Sequence, residues 1–412
     1  MEFEARSRKL LPELVREAHG VRFHVAATDA PTSLSAWSSA HLALALRALD
    51  PALAVAELSN LYATCQRADG LLASERVAGE RERAVRAQAV GPIFGEDERS
   101  LLIAPPVAAF AAARMALAGA DGARALLDCA VRELDGIWGA RLPPDTPLPV
   151  ILHPLESGVP RSPLFDSLID SEDEDEWRDD SATLFRSAAA CQLDPERALR
   201  AGHPFVIEDP VFCGWFLLAL EECALAFEKL GDTTACRRLR IRASMIADGI
   251  ASRLWWEEQE IFAGWNRGRQ SPLRAVTAGG FVPAACRSLA EEATPKRVVD
   301  RHLRPAASAL WSSRGVALTP RQRGEREELE ARGERPEAAS PLAHFWAHLA
   351  LLRADRPADA RVARKQLEDL ALARGFQDSY ELGPDEPESG ADDTSAWPLL
   401  ALEMSESERA AL

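Results

Sequence analysis

The sequence predicts an all-α protein, a double-layered toroid of helical hairpins with minor β-hairpins in its loops. Three observations carry that prediction. The chain is 47% hydrophobic, rich in Ala and Leu, with only two Tyr, a composition that loses little on entering helices. Long apolar-periodic segments are joined by turns of a few residues, which force neighbouring helices to run antiparallel. Apolar coverage differs from helix to helix, nearly all round in one and one-sided in the next, as inner and outer layers require.

The elements follow in order. Leu42, Leu44, Leu46 and Leu49 surround most of an inner helix, which Ala48-Leu49-Asp50-Pro51 ends before Ala52 to Cys65. Gly119-Ala120-Asp121-Gly122 precedes a helix over Ala123 to Ile137, and Leu230-Gly231-Asp232-Thr233 divides Val211–Lys229 from Thr234–Leu254. That last segment sets Ala235, Leu239, Met245, Ile246, Ile250 and Leu254 opposite Arg237, Arg238, Arg240 and Arg242, the pattern of an outer helix. Arg353-Ala354-Asp355-Arg356-Pro357 separates Leu342–Leu352 from Ala358–Ala373. In each turn a capping residue or Pro stops one helix and starts the next.

Two stretches interrupt the pattern. Residues 170–180 hold eight Asp or Glu in eleven positions and are expected to form a solvated acidic loop. Residues 321–337 are a charged insertion rich in Arg and Glu. Neither has an independent core behind it, so the expectation is one domain over residues 1–412.

The formal charge of −16 argues against a nucleic-acid partner, which would meet a basic patch, and against an anionic membrane surface. No run of about 18 apolar residues predicts a membrane-spanning helix, and the N-terminus lacks the pattern of a signal peptide. Seven dispersed Cys without a Cys-x-x-Cys pair read as reduced thiols, and so as a cytoplasmic protein. The expected partner is a small-molecule substrate. No cofactor is expected. His344 and His348 stand four apart on a helix but lack a third ligand, so no metal is expected either. Gly279-Gly280 lacks the context of a nucleotide loop.

Several strings, in order, resemble the mannosylglycerate and glucosylglycerate hydrolases and the processing α-glucosidases of glycoside hydrolase family 63. They are Ala36-Trp37-Ser38, Gln66-Arg67-Ala68-Asp69-Gly70, Pro105-Pro106-Val107 and His153-Pro154-Leu155-Glu156-Ser157-Gly158-Val159-Pro160-Arg161-Ser162-Pro163. Further on come Glu208-Asp209-Pro210, Leu254-Trp255-Trp256, Gly279-Gly280-Phe281-Val282-Pro283, Gly375-Phe376, Tyr380-Glu381 and Ser395-Ala396-Trp397. The resemblance covers about residues 30 to 403 and implies an (α/α)6 toroid of six hairpins.

It also implies inverting chemistry. One carboxylic acid protonates the leaving oxygen while a second carboxylate, roughly 6.5–9.5 Å away, activates water on the opposite face. The family acid falls on Pro160, which can donate no proton, and its neighbour is Arg161. Glu381 sits near the position of the base, with Asp378 as a competing alignment. Glu156 and Asp166 flank the altered loop and are candidates to replace the lost acid. Gln66, Asp69, His153, Arg161 and Asp209 are candidate substrate contacts, with loop-ordering or capping roles as the alternatives. Trp37, Trp265 and Trp397 are candidates for stacking on a sugar, or for filling the core. Three readings stay open: a glycosidase with a displaced acid, a pocket repurposed for cyclisation, isomerisation or elimination, and a ligand-binding protein without catalysis.

Overall fold

The computed structural model describes residues 2–169, 174–289, 294–304, 308, 310–312, 315–319, 338–381 and 393–411, with backbone alone at 89, 174, 338, 381 and 411. The charged insertion at 321–337 lies outside the described residues. In chain order the helices are α1 (Glu2–Leu14), α2 (Ala36–Leu49), α3 (Pro51–Cys65), α4 (Glu80–Val90), α5 (Val107–Ala118), α6 (Ala123–Arg141), α7 (Glu174–Ala190) and α8 (Pro195–Arg200). They continue with α9 (Pro210–Lys229), α10 (Thr233–Gly249), α11 (Phe281–Ala284), α12 (Thr294–His302), α13 (Pro341–Arg353), α14 (Pro357–Arg374) and α15 (Leu400–Ala411).

Local chemistry sets the hairpins. Asp50 accepts the amides of Ala52 and Leu53 at 3.1 Å, and Pro51 opens α3, so α2 stops and its neighbour starts within one turn. Asp232 caps α10 by accepting the amide of Ala235 at 3.0 Å. Gly119 and Gly122 adopt left-handed backbone between α5 and α6, the conformation for which Gly has no side-chain penalty.

Helices α2, α5, α9, α11, α13 and α15 form the inner ring, each against the next, and α15 returns to α2 to close it. Helices α3, α6, α10, α12 and α14 back the inner helix that precedes each, and α1 lies against α14. The chain is therefore an all-α (α/α)6 toroid with short β-hairpins in its loops. Inner α9 is buried nearly all round, with Phe212, Trp215, Phe216, Leu217 and Leu220 wholly enclosed. By length and composition it is long and apolar enough to cross a membrane, yet 94% of that window is buried inside the ring. Outer α10 buries Leu239, Ala243 and Ile246 on one side.

Two expectations are corrected. Met245 is exposed, because Leu239, Ala243, Ile246 and Ile250 already form the i+3/i+4 stripe and Met245 points off it. Of the acidic run, residues 170–173 lie outside the described residues and the rest is helical: α7, described from Glu174, buries Trp177, Ser181, Leu184 and Phe185 on one face.

The two ends of the ring differ. At the lower end, Arg47 reaches Glu403 at 2.7 Å and Arg114 lies between Glu403 (3.4 Å) and Glu222 (3.8 Å). Arg287 meets Glu222 from α11's side at 3.0 Å. This buried network ties α2, α5, α9 and α15 together. At the upper end stand the N-termini of the inner helices, capped by Ser35, Asp209 and Ser340. A hairpin and a second strand pair frame that mouth. Strand β1 (Val15–Ala18) pairs with β2 (Val21–His24), and β3 (Ser33–Ser35) pairs with β4 (Glu75–Val77), both antiparallel, placing Ser35 opposite Glu75.

Candidate active site

The first turn of α2 and the loop entering α5 flank a cavity of about 270 Å³ at the upper end of the ring. Its walls include Trp37 and Ser38 of α2, Pro105 before α5, and Leu155, Gly158 and Pro160 of the 153–163 string. Strands β2, β3 and β4 add His24, Ser33, Ser35 and Glu75, and α4 adds Arg86. That size lies just below the ~300–1,000 Å³ of sites for drug-sized ligands and suits a small molecule.

Trp37 is half-buried and held from two sides. Its ring meets His41 edge-on at 4.4 Å between centroids, and Gly158 presses on its other flank. A Cβ at Gly158 would come within 2.7 Å of the indole, and φ is +80° there, so only Gly lets this loop close on the ring. Behind Trp37 the axis of the toroid is filled by His41, Trp215, Phe345, Trp346 and Trp397 in edge and stacked contacts. Burial holds His41 down at about 4, against the pull of its hydrogen bond to the Trp37 carbonyl, so it is neutral near pH 7.

Among the described residues the cavity carries one carboxylate on its wall, Glu75. Arg86 engages both its oxygens, Nε to Oε1 at 3.0 Å and Nη2 to Oε2 at 2.9 Å. This is the bidentate geometry in which a guanidinium binds a carboxylate most strongly. A second carboxylate stands one residue back: Glu57 of α3 accepts Nδ1–H of His24 at 3.0 Å. Ser33, Ser35, Ser38 and Ser74 also line it, among the apolar Val25, Ala26, Pro31, Ile93 and Ala104.

The structure gathers Trp37 and Pro160 at this cavity and places Gln66, Asp69, His153, Glu156, Arg161, Asp166, Asp209, Trp265 and Trp397 outside its lining. Glu156, wholly buried, accepts Arg141 at 2.5 Å and the amides of Ile103 (3.1 Å) and Leu152 (2.8 Å), so its oxygens are turned away from the cavity. His153, also enclosed, accepts the amide of Leu155 and donates to the Ser181 carbonyl. Burial lowers it to about 4, so it holds the loop as a neutral ring. Asp166 closes the turn after Phe165 and is exposed. Arg161 lies over the Trp177 ring at 4.9 Å, tying the loop to α7.

Gln66 donates to the carbonyls of Gly70 (3.0 Å) and Cys129 (2.9 Å), and Asp69 accepts the amide of Leu71. That string is a tight turn packed on α6, where Gly136 leaves no room for a Cβ against Leu71. Asp209 caps α9 through the amide of Phe212 at 2.8 Å, and burial raises it to about 7. Trp265 sits beside Arg253 at 5.8 Å, near the Glu208–Arg267 pair. Trp397 edges His41 and lines a small pocket at the ring's axis. His344 donates to the Ser340 carbonyl and accepts the amide of Val316, and His348 donates to the Ala360 carbonyl. The Glu381 side chain lies outside the described residues. Its backbone pairs with Ala338 beside α13.

His24, Glu57, Glu75 and Arg86 escape sequence reasoning. Only Glu57 carries a signal, as a charge on the stripe Ala54, Leu58, Leu61, Tyr62 and Cys65. The others are isolated polar residues in short strands and an exposed helix.

Comparison with known proteins agrees with this architecture. Residues 32–322 match the family described as mannosylglycerate hydrolase MGH1-like glycoside hydrolase domain. A mannosylglycerate hydrolase of Rubrobacter radiotolerans is 27% identical over 69% of each chain. Among solved structures, a GH63 mannosylglycerate hydrolase from Thermus thermophilus, in complex with Tris and D-glycerate, superposes with a TM-score of 0.77 at 18% identity, covering 98% of this chain and all of the other. The same enzyme in complex with glucose gives 0.71 at 20% identity, with the same coverage. Neutral trehalase from Saccharomyces cerevisiae gives 0.59 at 15% identity over 95% of this chain and 76% of that one. These structural likenesses concern the fold. The chain belongs to the MGH1-like glycoside hydrolase family.

Proposed function

We propose that the chain is an enzyme that binds a small glycosylated molecule in the cavity beside Trp37 and acts on it by acid–base chemistry. One observation carries the reading. Three strings far apart in sequence, at 36–38, 105–107 and 153–163, meet on the walls of a single cavity. A half-buried indole among serine hydroxyls and a bidentate Arg–Glu pair is the mixture of apolar face and fixed polar groups that sugars require. Relatives named mannosylglycerate hydrolases, one of them seen with D-glycerate and with glucose, make glycosides of glycerate the first substrates to try. The water-activating carboxylate in this reading is Glu381, the position the resemblance gives it.

Pro160 favours a second reading. It lines the cavity where the resemblance places the proton donor, so the pocket fits equally a non-hydrolytic reaction or binding alone.

Product formation on α-glucosides and α-mannosides, glycosylglycerates included, separates the two. Mass spectrometry at high protein concentration would follow wild type beside Glu381→Gln and Glu75→Gln. Turnover that falls in Glu381→Gln supports hydrolysis. No product from any glycoside with wild type overturns it in favour of the second reading.

A further inference from the structure

His24 ends β2 and stands on the cavity wall, 7% exposed. Its Nδ1–H is given to Glu57 at 3.0 Å, and its backbone amide contacts both oxygens of the same carboxylate at 3.3 Å. Glu57 is 1% exposed, and among the described residues no other donor reaches it. The ring is therefore fixed by one buried carboxylate, while Nε2 has no hydrogen-bond partner among the described residues. That nitrogen is not one of the enclosed atoms and is open to solvent, and a His whose inner nitrogen is clamped by a carboxylate presents its outer nitrogen for proton transfer.

We propose that His24, oriented by Glu57, is the proton donor of this cavity, in place of the carboxylic acid whose position Pro160 occupies. The inference rests on the glycoside reading above. In the imidazolium form both ring nitrogens carry protons. Nε2–H passes its proton to the glycosidic oxygen as the bond from the anomeric carbon to that oxygen breaks, the electron pair leaving with the oxygen. Water adds to the anomeric carbon and gives its proton to a carboxylate on the opposite face, the role assigned to Glu381. Glu57 takes no proton in the step; it holds the ring and opposes its charge. Among the described residues, the other charged groups on the cavity wall are Glu75 of β4 and Arg86 of α4. Glu75 is the poorer donor, because Arg86 engages both its oxygens.

The test uses the dependence on leaving group. α-Mannosylglycerate needs a proton on its leaving oxygen, whereas 4-nitrophenyl α-mannoside expels a stabilised phenolate without one. His24→Gln, His24→Asn and Glu57→Gln would be assayed on both substrates, with circular dichroism melts as the check on folding. A general acid contributes roughly 10²–10⁴-fold. The expected result is a loss of about 100-fold or more on mannosylglycerate in the His24 variants, a smaller loss in Glu57→Gln, and nearly unchanged rates on the nitrophenyl substrate. Equal loss on both substrates in folded variants overturns the proposal, as does full activity on mannosylglycerate. If the His24 variants do not fold, Glu57→Gln decides by the same comparison. Wild type inactive on both substrates overturns the glycoside reading itself, a result distinct from an active enzyme indifferent to His24.

Discussion

Replacing Glu156 with Gln should cost stability before it costs chemistry. The carboxylate is wholly enclosed, and it accepts Arg141 at 2.5 Å as well as two backbone amides. Burial already pulls the Arg141 guanidinium below its ordinary pKa, with the charge of Glu156 opposing that pull. Gln keeps one oxygen for an amide but turns an NH2 toward another donor and removes the counter-charge. Breaking one side of a buried ion pair costs about 3–5 kcal/mol. Unfolding entropy of about 2.1 cal/mol/K per residue, over 412 residues, gives roughly 0.9 kcal/mol/K, so the melting point should fall by roughly 3–6 °C in a single transition. Arg141→Met should behave alike, and the double variant should recover part of the loss because neither charge is then orphaned. Differential scanning calorimetry with parallel turnover assays provides the check. Unchanged melting with abolished turnover in Glu156→Gln would refute the reasoning and return this carboxylate to the chemistry.

Gly158→Ala places a Cβ against the Trp37 ring in a left-handed backbone, a strain of about 1–2 kcal/mol. The loop should draw back from Trp37, seen as altered tryptophan fluorescence and weaker glycoside binding by calorimetry. Glu133, fully buried and bonded to Tyr62 at 2.8 Å, is raised to about 8 by burial. The folded state therefore holds a proton that the unfolded chain releases near pH 4.5. Stability should fall as pH rises from there to about 8, by at most ~1.4 kcal/mol per pH unit. Glu133→Gln should flatten that slope in urea titrations across pH, and an unchanged slope would contradict the assignment. Leu217→Ala, on wholly enclosed α9, should cost about 2–5 kcal/mol by urea unfolding.

Much of the toroid is legible because its signals are local. Asp50-Pro51, Gly119 with Gly122, and Asp232 cap or stop helices through contacts within a few residues, and the structure turns where they stand. Inner and outer layers follow from periodicity, although Met245 shows that an apolar residue beside the stripe can face solvent. The acidic run misleads because its charges hide Trp177, Leu184 and Phe185 at helical spacing on the buried face.

The site is less legible, for two physical reasons. Motif membership does not separate a residue that contacts ligand from one that shapes the loop. Glu156, His153, Gln66 and Asp209 all satisfy backbone amides or carbonyls within their own loops and caps, as the immobile parts of a site must. The residues that do reach the cavity, His24, Glu75 and Arg86, come from short strands and a peripheral helix that meet only when the ring closes. Glu57 was visible in principle as a charge on an apolar stripe. Its partner was not, since the contact spans 33 positions.

The most direct test of the central claim is a crystal structure of the Glu381→Gln variant soaked with α-mannosylglycerate. Density for the sugar against Trp37, between Pro160 and His24, is the predicted result. A ligand bound elsewhere, with this cavity holding only water at saturating concentration, would contradict it.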